Sequence, residues 1–545
     1  MSTFHSLALR CLIRNDPDQP SVFIADDWEE RFLIDPFLKG ALRLRNVKSA
    51  TKRRRDFDAR WCQADENPDE WLSQAERREF LRAFTLVKNA LDFTTRGELT
   101  YRWWHMLSNE PAASNADLAI DFRHLLVDEY QDLNECEHQI LEILGRRGVG
   151  IFVVGDPNQS IYESMRHAHP ELCETFAERF DNTGRIILDE TYRCPTEVLN
   201  VAMALMDGYV GAAGVPTTSH RPAAGEFRIV NFVDESSEAT GVAAVANALA
   251  QSLPQERILI LYPVRQVGRE VSKALTTFKR AHTFTAPAVN EWEPDEQRLG
   301  KALARLLGNP QDSLAAGTAI VLSGPKTKRA EVLGLLIGTH AVGKLKACEL
   351  LEAETASLPD VLARAIGSVR VRLHELRGMA IEDAVKKLEA DFGLQRLDLY
   401  LLSGEQRHRL EQLAEMGDLV ETNSEEDGDE AEVEEVPPGI TVTSFHSSKG
   451  LQADTIFLLA VEPNFFENDE RSSPDEKRRL LFVGVTRSLN RLYISYVANR
   501  YGPGSYVTPG PHRSRQGPSD FVRRLRESLE INPQDGTDFV QSFLS

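Results

Sequence analysis

Two short apolar runs in this chain end abruptly in side chains that could handle a phosphorylated ligand. Leu125-Leu126-Val127 stops at Asp128-Glu129-Tyr130-Gln131-Asp132, and Gly150-Ile151-Phe152-Val153-Val154 stops at Gly155-Asp156-Pro157-Asn158-Gln159. Paired acids at the tip of a buried strand suit a magnesium nucleotide site. There one carboxylate, Asp128, would hold the metal, and the next, Glu129, would polarise the water that attacks a terminal phosphate. Acids also end strands as caps of the following helix, and the pair alone leaves that reading open. Strands of this kind, apolar throughout and delivering polar residues at the carboxyl end, belong to parallel sheets covered on both faces.

Three further blocks follow in order: Leu188-Asp189-Glu190-Thr191-Tyr192-Arg193-Cys194, the stretch from Ile440 to Leu451 containing Thr443, His446, Ser447 and Lys449, and the stretch from Glu476 to Arg487. Together with the first two, they resemble the motifs of the superfamily 1 DNA helicases of the UvrD, Rep and PcrA type. The resemblance implies an α/β fold with two RecA-like parallel-sheet motor domains and helical insertions, ATP and Mg2+ as cofactors, and translocation 3′ to 5′ along single-stranded DNA. It further implies that Gln159 senses the terminal phosphate, that Tyr192 stacks on adenine, and that Arg193 and Arg487 reach the transferring phosphoryl group. Arg265, after the apolar run Arg257–Tyr262, would lie by the nucleotide cleft, although a plain surface arginine fits as well. Thr443, His446, Ser447 and Lys449 would meet the DNA backbone and the cleft. Thr3, Phe4 and His5 resemble the motif beside the single-strand track, and Tyr162 closes the block that begins at Gly155.

The chain departs from the family pattern in three places. Met165 stands where an aromatic residue usually stacks on a DNA base, and methionine supplies no π face. Gln452 replaces a glutamate that contacts ribose; an amide can still accept that hydrogen bond. No Gly-x-x-x-x-Gly-Lys-Ser/Thr precedes Thr3. Ala319–Thr327 has a strand-like run before Gly324, Lys326 and Thr327, but Pro325 removes an amide donor, and it reads as a turn before a helix. Val342-Gly343-Lys344-Leu345 lacks the hydroxyl residue that would meet magnesium.

The expectation is therefore a chain that is N-terminally incomplete in its first motor, its phosphate loop and strand encoded upstream of Met1. Without that strand, neighbouring strands would show unpaired amides and uncovered apolar faces. The competing reading is an ATPase-deficient DNA-binding accessory or split-helicase subunit, in a phage-defence complex for example, completed by a protein partner in trans. Retention of Asp128, Glu129, Gln159, Tyr192, Arg193 and Arg487 favours the first.

The elements that would position these residues divide the 545 residues into several domains. A first motor is expected over 1–195 with a charged helical insertion over about 16–107, a second motor over 196–289 and 437–545, and between them a helical accessory insertion over 290–436. That insertion ends in the acidic run Glu421–Glu435, which reads as a disordered connector. A net charge of −20 argues against a broad coating of DNA; a motor that threads one strand needs only a local basic lining. One dense basic cluster, Arg43, Arg45, Lys48 and Lys52 to Arg55, is either a solvated helix face or a contact for nucleic-acid backbone. Trp103 and Trp104 read as core or interface aromatics. Six cysteines lack metal-ligand spacing and no run is apolar enough for a membrane, so a cytoplasmic DNA repair or recombination protein is expected, acting on single strands and their junctions with duplex.

Overall fold

The computed structural model describes residues 3–15, 23–64, 73–109, 114–115, 118, 120–163, 167–180, 183–209, 215–221, 224–285, 294–394, 436–467, 472–500, 514–515 and 517–544. Met165 and the acidic run Glu421–Glu435 lie outside them. The chain forms two compact units: Met1–Leu125 with Asn134–Gly150 and Asn290–Asn423, and Leu126–Leu133 with Ile151–Val289 and Ser424–Ser545. Among the described residues no helix is long and apolar enough to cross a membrane.

Among the described residues the strands are, in chain order, β1 (His124–Val127), β2 (Gly150–Val153), β3 (Glu190–Thr191), β4 (Thr218–Ser219), β5 (Glu226–Asp234), β6 (Arg257–Tyr262), β7 (His282–Thr285), β8 (Gly439–Ser444), β9 (Ala453–Leu458), β10 (Ser488–Arg500), β11 (Ser514–Arg515) and β12 (Gln534–Asp535). The second unit is built on a parallel sheet in the order β12-β5-β10-β9-β6-β8-β7, with β11 antiparallel on β10. Its central strands explain themselves. Ile258 to Tyr262 and Ile456 to Leu458 are apolar on both faces, and both faces are buried. The fold class expected from the sequence, α/β with a parallel sheet and helical insertions, is the one observed.

The helix that follows β5 starts at a capped end. Asp234 accepts the Ser237 N–H at the head of the helix Glu235–Ser252, which satisfies amides that the first turn leaves without partners. Charge is buried where the sheet needs a fixed join. Arg500, at the end of β10, pairs with Glu238 at 2.8 Å and with Glu462 at 2.6 Å, and all three are buried. Burial is the main reason the Glu462 carboxyl is pushed up to about 7.

Among the described residues β1 and β2 form a separate two-stranded sheet. It leaves apolar side chains uncovered: Leu126 is 74% and Phe152 60% exposed, and beyond it Ile186 in an unpaired extended stretch is 86% exposed.

The first unit is helical. Its core combines residues from Phe23 to Phe93 with residues from Leu299 to Leu394, so stretches two hundred positions apart in sequence share one interior. Buried ion pairs lie within it. Arg305 meets Glu29 at 3.0 Å and Asp312 at 2.8 Å, Arg298 pairs with Asp26, and Arg54 holds Asp35 and Glu30, each at 2.7 Å. The strand-like run of Ala319–Leu322 requires a correction: it belongs to the helix Ser313–Ser323, of which Ser313 to Leu322 are all buried. Val342–Leu345 is the end of another helix, Arg329–Gly343, with Lys344 in the left-handed region at φ 61°. Neither run follows a strand, so neither has the context of a phosphate loop.

Candidate functional site

The nucleotide-type residues read from the sequence fall in one unit, the second. β1 ends at Asp128, which is exposed; one of its oxygens accepts the Glu129 N–H at 2.9 Å. The chain then turns sharply, with Glu129 in the left-handed region at φ 48°, and a short 3-10 turn over Tyr130–Asp132 follows. A non-glycine residue held there costs energy, and such positions cluster at functional sites. Tyr130 N–H donates to the Val154 carbonyl at 2.9 Å, fixing this turn against the end of β2.

Around Glu129 three side chains converge. Gln131 donates to its carboxylate, and Lys449 Nζ lies 3.0 Å away while also pairing with Asp132. Lys449 is almost fully buried and sits 5.2 Å over the ring of Tyr162, itself buried. The same Gln131 accepts the Asp156 N–H at 2.9 Å through its Oε1. Gly155 permits this bridge: a Cβ there would lie 2.8 Å from Gln131 Oε1.

Asp156 orders the next group. Its carboxylate accepts the Asn158 backbone N–H at 2.9 Å and the Gln159 Nε2 at 2.7 Å. Burial raises its pKa against the lowering pull of those donors. With its amide so held, Gln159 presents Oε1 to Arg487 Nη2 at 2.9 Å. Arg487 is buried, donates to the Val483 carbonyl at 2.9 Å, and has its pKa pushed down to about 10, first by burial and then by the charge of Arg193. A guanidinium with that value remains protonated at neutral pH.

Tyr192 is 73% exposed, and its ring stacks on His220 at 4.9 Å with an interplanar angle of 16°. The sequence reading missed His220. It is brought there by the pairing of β3 with β4, which sets Thr191 beside Ser219. Gln131, Asp132 and Asp156 were visible inside the quoted motifs, but their roles as holders of Glu129, Lys449 and Gln159 were not. Arg479, also within a quoted block, is buried, donates to the Ser160 carbonyl and Tyr209 hydroxyl at 2.6 Å each, and pairs with Glu163.

The remaining expected residues are placed as follows. Arg265 opens the helix Arg265–Thr277; its Nε and one terminal nitrogen are buried with no hydrogen-bond partner among the described residues. Thr443 is buried at the end of β8, and its hydroxyl likewise lacks a partner. Ser447 is exposed, its N–H bonded to Ser444 Oγ at 3.1 Å, and His446 and Gln452 are partly buried. Thr3, Phe4 and His5 belong to the other unit. Thr3 Oγ1 accepts the Ser6 N–H at 3.2 Å, and Phe4 packs 5.8 Å from the buried Trp103.

The donor set fits a magnesium nucleotide. Mg2+ is ordinarily held by one or two carboxylates together with substrate phosphates and water, not by a closed protein cage. Exposed Asp128 is a carboxylate of the kind such a site uses, and the described residues contain no group of three or more acids, histidines or cysteines able to enclose a metal. Arg487, Arg193 and the two unpartnered nitrogens of Arg265 are cations of the kind that phosphate oxygens need.

The chain is similar to known helicases along most of its length. The model of the UvrD/REP helicase N-terminal domain matches residues 1–181, and that of the UvrD-like helicase C-terminal domain matches residues 383–499. DNA helicase II of Haemophilus influenzae is 25% identical over 92% of this chain and 73% of its own length. ATP-dependent DNA helicase UvrD2 of Mycobacterium tuberculosis is 28% identical over 76% of this chain and 52% of its own length, and DNA helicase II of Escherichia coli is 25% identical over 74% and 59%. This chain thus spans between about half and three quarters of these relatives. With both domain models matched in order, the chain belongs to the UvrD/Rep-type helicases of superfamily 1.

Proposed function

We propose that this protein is an ATP-dependent helicase or translocase that moves 3′ to 5′ on single-stranded DNA and acts at junctions of single strand and duplex in cytoplasmic DNA repair or recombination. The observation that carries the reading is the Arg487–Gln159 hydrogen bond, which ties the motif at the end of β2 to the motif before β10 next to Glu129. ATP hydrolysis also needs a phosphate-binding loop, and the reading applies to the protein that carries one. The relatives' names, DNA helicase II and ATP-dependent DNA helicase, support the substrate and the nucleotide. The polarity rests on family resemblance.

In this reading Asp128 would hold Mg2+ together with the phosphates, and the ion would supply charge neutralisation there. Glu129 takes a proton from the attacking water, Arg487 and Arg193 stabilise charge that develops on the transferring group, and Gln159 reports its presence. Tyr192 stacks on adenine with the face that His220 leaves open. Gln452 accepts from ribose, and Thr443, His446, Ser447 and Lys449 serve the strand backbone, as do Thr3, Phe4, His5, Tyr162 and Met165 along its track. Lys449 links the two functions. Its ion pair with Glu129 means that a shift of this lysine toward a DNA phosphate would release the base.

The test is Glu129→Gln in the protein with its phosphate loop. Strand-stimulated hydrolysis is expected to fall by ~100-fold or more, the scale of general-base catalysis, with single-strand affinity within twofold of the parent. Turnover that survives the change sinks the assignment of Glu129 as base.

A further inference from the structure

Two strands of the second unit are too short to contribute much by packing. β3 and β4 pair in parallel, Glu190 beside Thr218 and Thr191 beside Ser219, and an isolated two-stranded pair is marginal in water even at full length. The segment that carries β4 is nevertheless tied down at several points. The Thr217 N–H donates to the Asp189 carbonyl and the His220 N–H to the Thr191 carbonyl, each at 2.9 Å. Ser219 Oγ donates to the Cys194 carbonyl at 2.7 Å, and Arg221 Nη2 reaches Asn490 Oδ1 at 3.1 Å. Thr217 to Arg221 thus lies as a strap along the block Asp189–Cys194, and it brings His220 to the Tyr192 ring.

His220 covers one face of that ring, with centroids 4.9 Å apart and planes 16° from parallel, a favourable stacking geometry. One carboxylate oxygen fixes both rings. Glu190 Oε2 accepts from the Tyr192 hydroxyl at 3.4 Å and pairs with His220 Nε2 at 3.0 Å. None of the three is a core group: Tyr192 is 73% exposed, and the side chains of His220 and Glu190 are 41% and 51% exposed. An ion pair so exposed adds little to stability, so the fold alone does not account for the cluster. Its effect is on the tyrosine. An exposed ring that samples several rotamers loses that freedom when a ligand stacks on it, and a ring already held has less to lose.

We propose that His220 is a positioning residue for the base of the bound nucleotide: with Glu190 it holds the Tyr192 ring before the ligand arrives, so that a purine completes a stack of His220, Tyr192 and base. This deepens the ATP reading above and rests on Tyr192 as the residue that meets adenine. The imidazole stands behind Tyr192, away from the reacting atoms, so its influence falls on binding and not on the chemical step. A triphosphate without a base gains nothing from it.

ATP hydrolysis with saturating single-stranded DNA would be measured for the protein with its phosphate loop and for its variants His220→Ala, His220→Phe and Tyr192→Ala, with inorganic tripolyphosphate as a competitor that lacks a base. His220→Ala is expected to raise KM for ATP about 3- to 10-fold, the scale of one aromatic pair. Its kcat and tripolyphosphate inhibition constant should stay within about twofold of the parent, since neither depends on the base platform. His220→Phe keeps a ring behind Tyr192 and should recover most of the loss. If KM rises in Tyr192→Ala but not in His220→Ala, the role of His220 is overturned and Tyr192 remains the base platform. A fall in kcat, a matching loss for tripolyphosphate, an early thermal transition or no recovery by His220→Phe would make His220 a structural residue of the strap and overturn its role at the base. KM unchanged in Tyr192→Ala as well, or a parent that does not hydrolyse ATP, would overturn both readings.

Discussion

At the scale of single residues, Gln159 and Arg487 make a sharper pair than either does alone. Gln159 is held by Asp156 on its amide nitrogen and holds Arg487 with its oxygen, so its amide links the Asp156 carboxylate to the Arg487 guanidinium. Removing Gln159 leaves Arg487 Nη2 with the Thr486 hydroxyl at 3.3 Å as its remaining side-chain partner, in a buried setting where an underpaired charge is costly. Arg487→Ala is expected to lower kcat by about three orders of magnitude with a much smaller change in ATP KM, the signature of an interaction strongest in the transition state. Gln159→Ala should cost ~10- to 100-fold, and the double variant should be little worse than Arg487→Ala. Additive losses, measured as a double-mutant cycle on kcat/KM, would show that the two residues act independently and that the hydrogen bond does not transmit position.

At the scale of elements, the helical unit has a pH dependence built into one ion pair. Glu30 lies 2.7 Å from Arg54, yet burial outweighs that attraction and its carboxyl is pushed up from 4.5 to about 7. A carboxyl whose folded pKa exceeds its unfolded value stabilises the fold below pH 4.5, and that contribution is lost as pH rises through about 7. The full effect is on the order of 3 kcal/mol. Glu30→Gln is expected to flatten the fall in stability between pH 5 and 7.5, read by denaturant unfolding; an unchanged slope would show that Glu30 does not titrate there. None of this was legible in sequence, because burial of an acid is a tertiary fact. What was legible had a local cause. The run Ile258–Tyr262, rich in β-branched isoleucine and stopped by Pro263, reads as a covered strand and is one, and Asp128-Glu129 follows its own strand directly. Ala319–Leu322 misled for a physical reason: the helix Ser313–Ser323 is buried on every side, so it shows no 3.6-residue alternation and its apolar run resembles a strand. His220 was invisible for another reason, since only the β3–β4 pairing brings it to Tyr192.

At the scale of the whole molecule, chain order and compact units do not coincide. The second unit gathers the motif residues from Asp128 to Arg487, and the first draws its helices from two distant stretches that enclose a single core. Leu303 lies at the centre of that core, fully buried on the helix Asp295–Gly308, and Phe80 and Val87 on the helix Gln74–Leu91 belong to the same cluster. If the core is one cooperative body, damage on one stretch must be felt on the other. Leu303→Ala removes buried methyl groups and leaves a cavity, at a cost of about 2 to 5 kcal/mol. Hydrogen exchange of the variant should show protection lost together, by similar factors, in peptides spanning 74–91 and 295–308, because both open in one unfolding event. Loss confined to 295–308 would mean that the two stretches unfold separately and that the shared core is too weak to couple them. In that case the ion pairs Arg305–Glu29 and Arg298–Asp26, which tie the helix Asp295–Gly308 to the segment around Trp28, would be breaking before the rest of the unit opens.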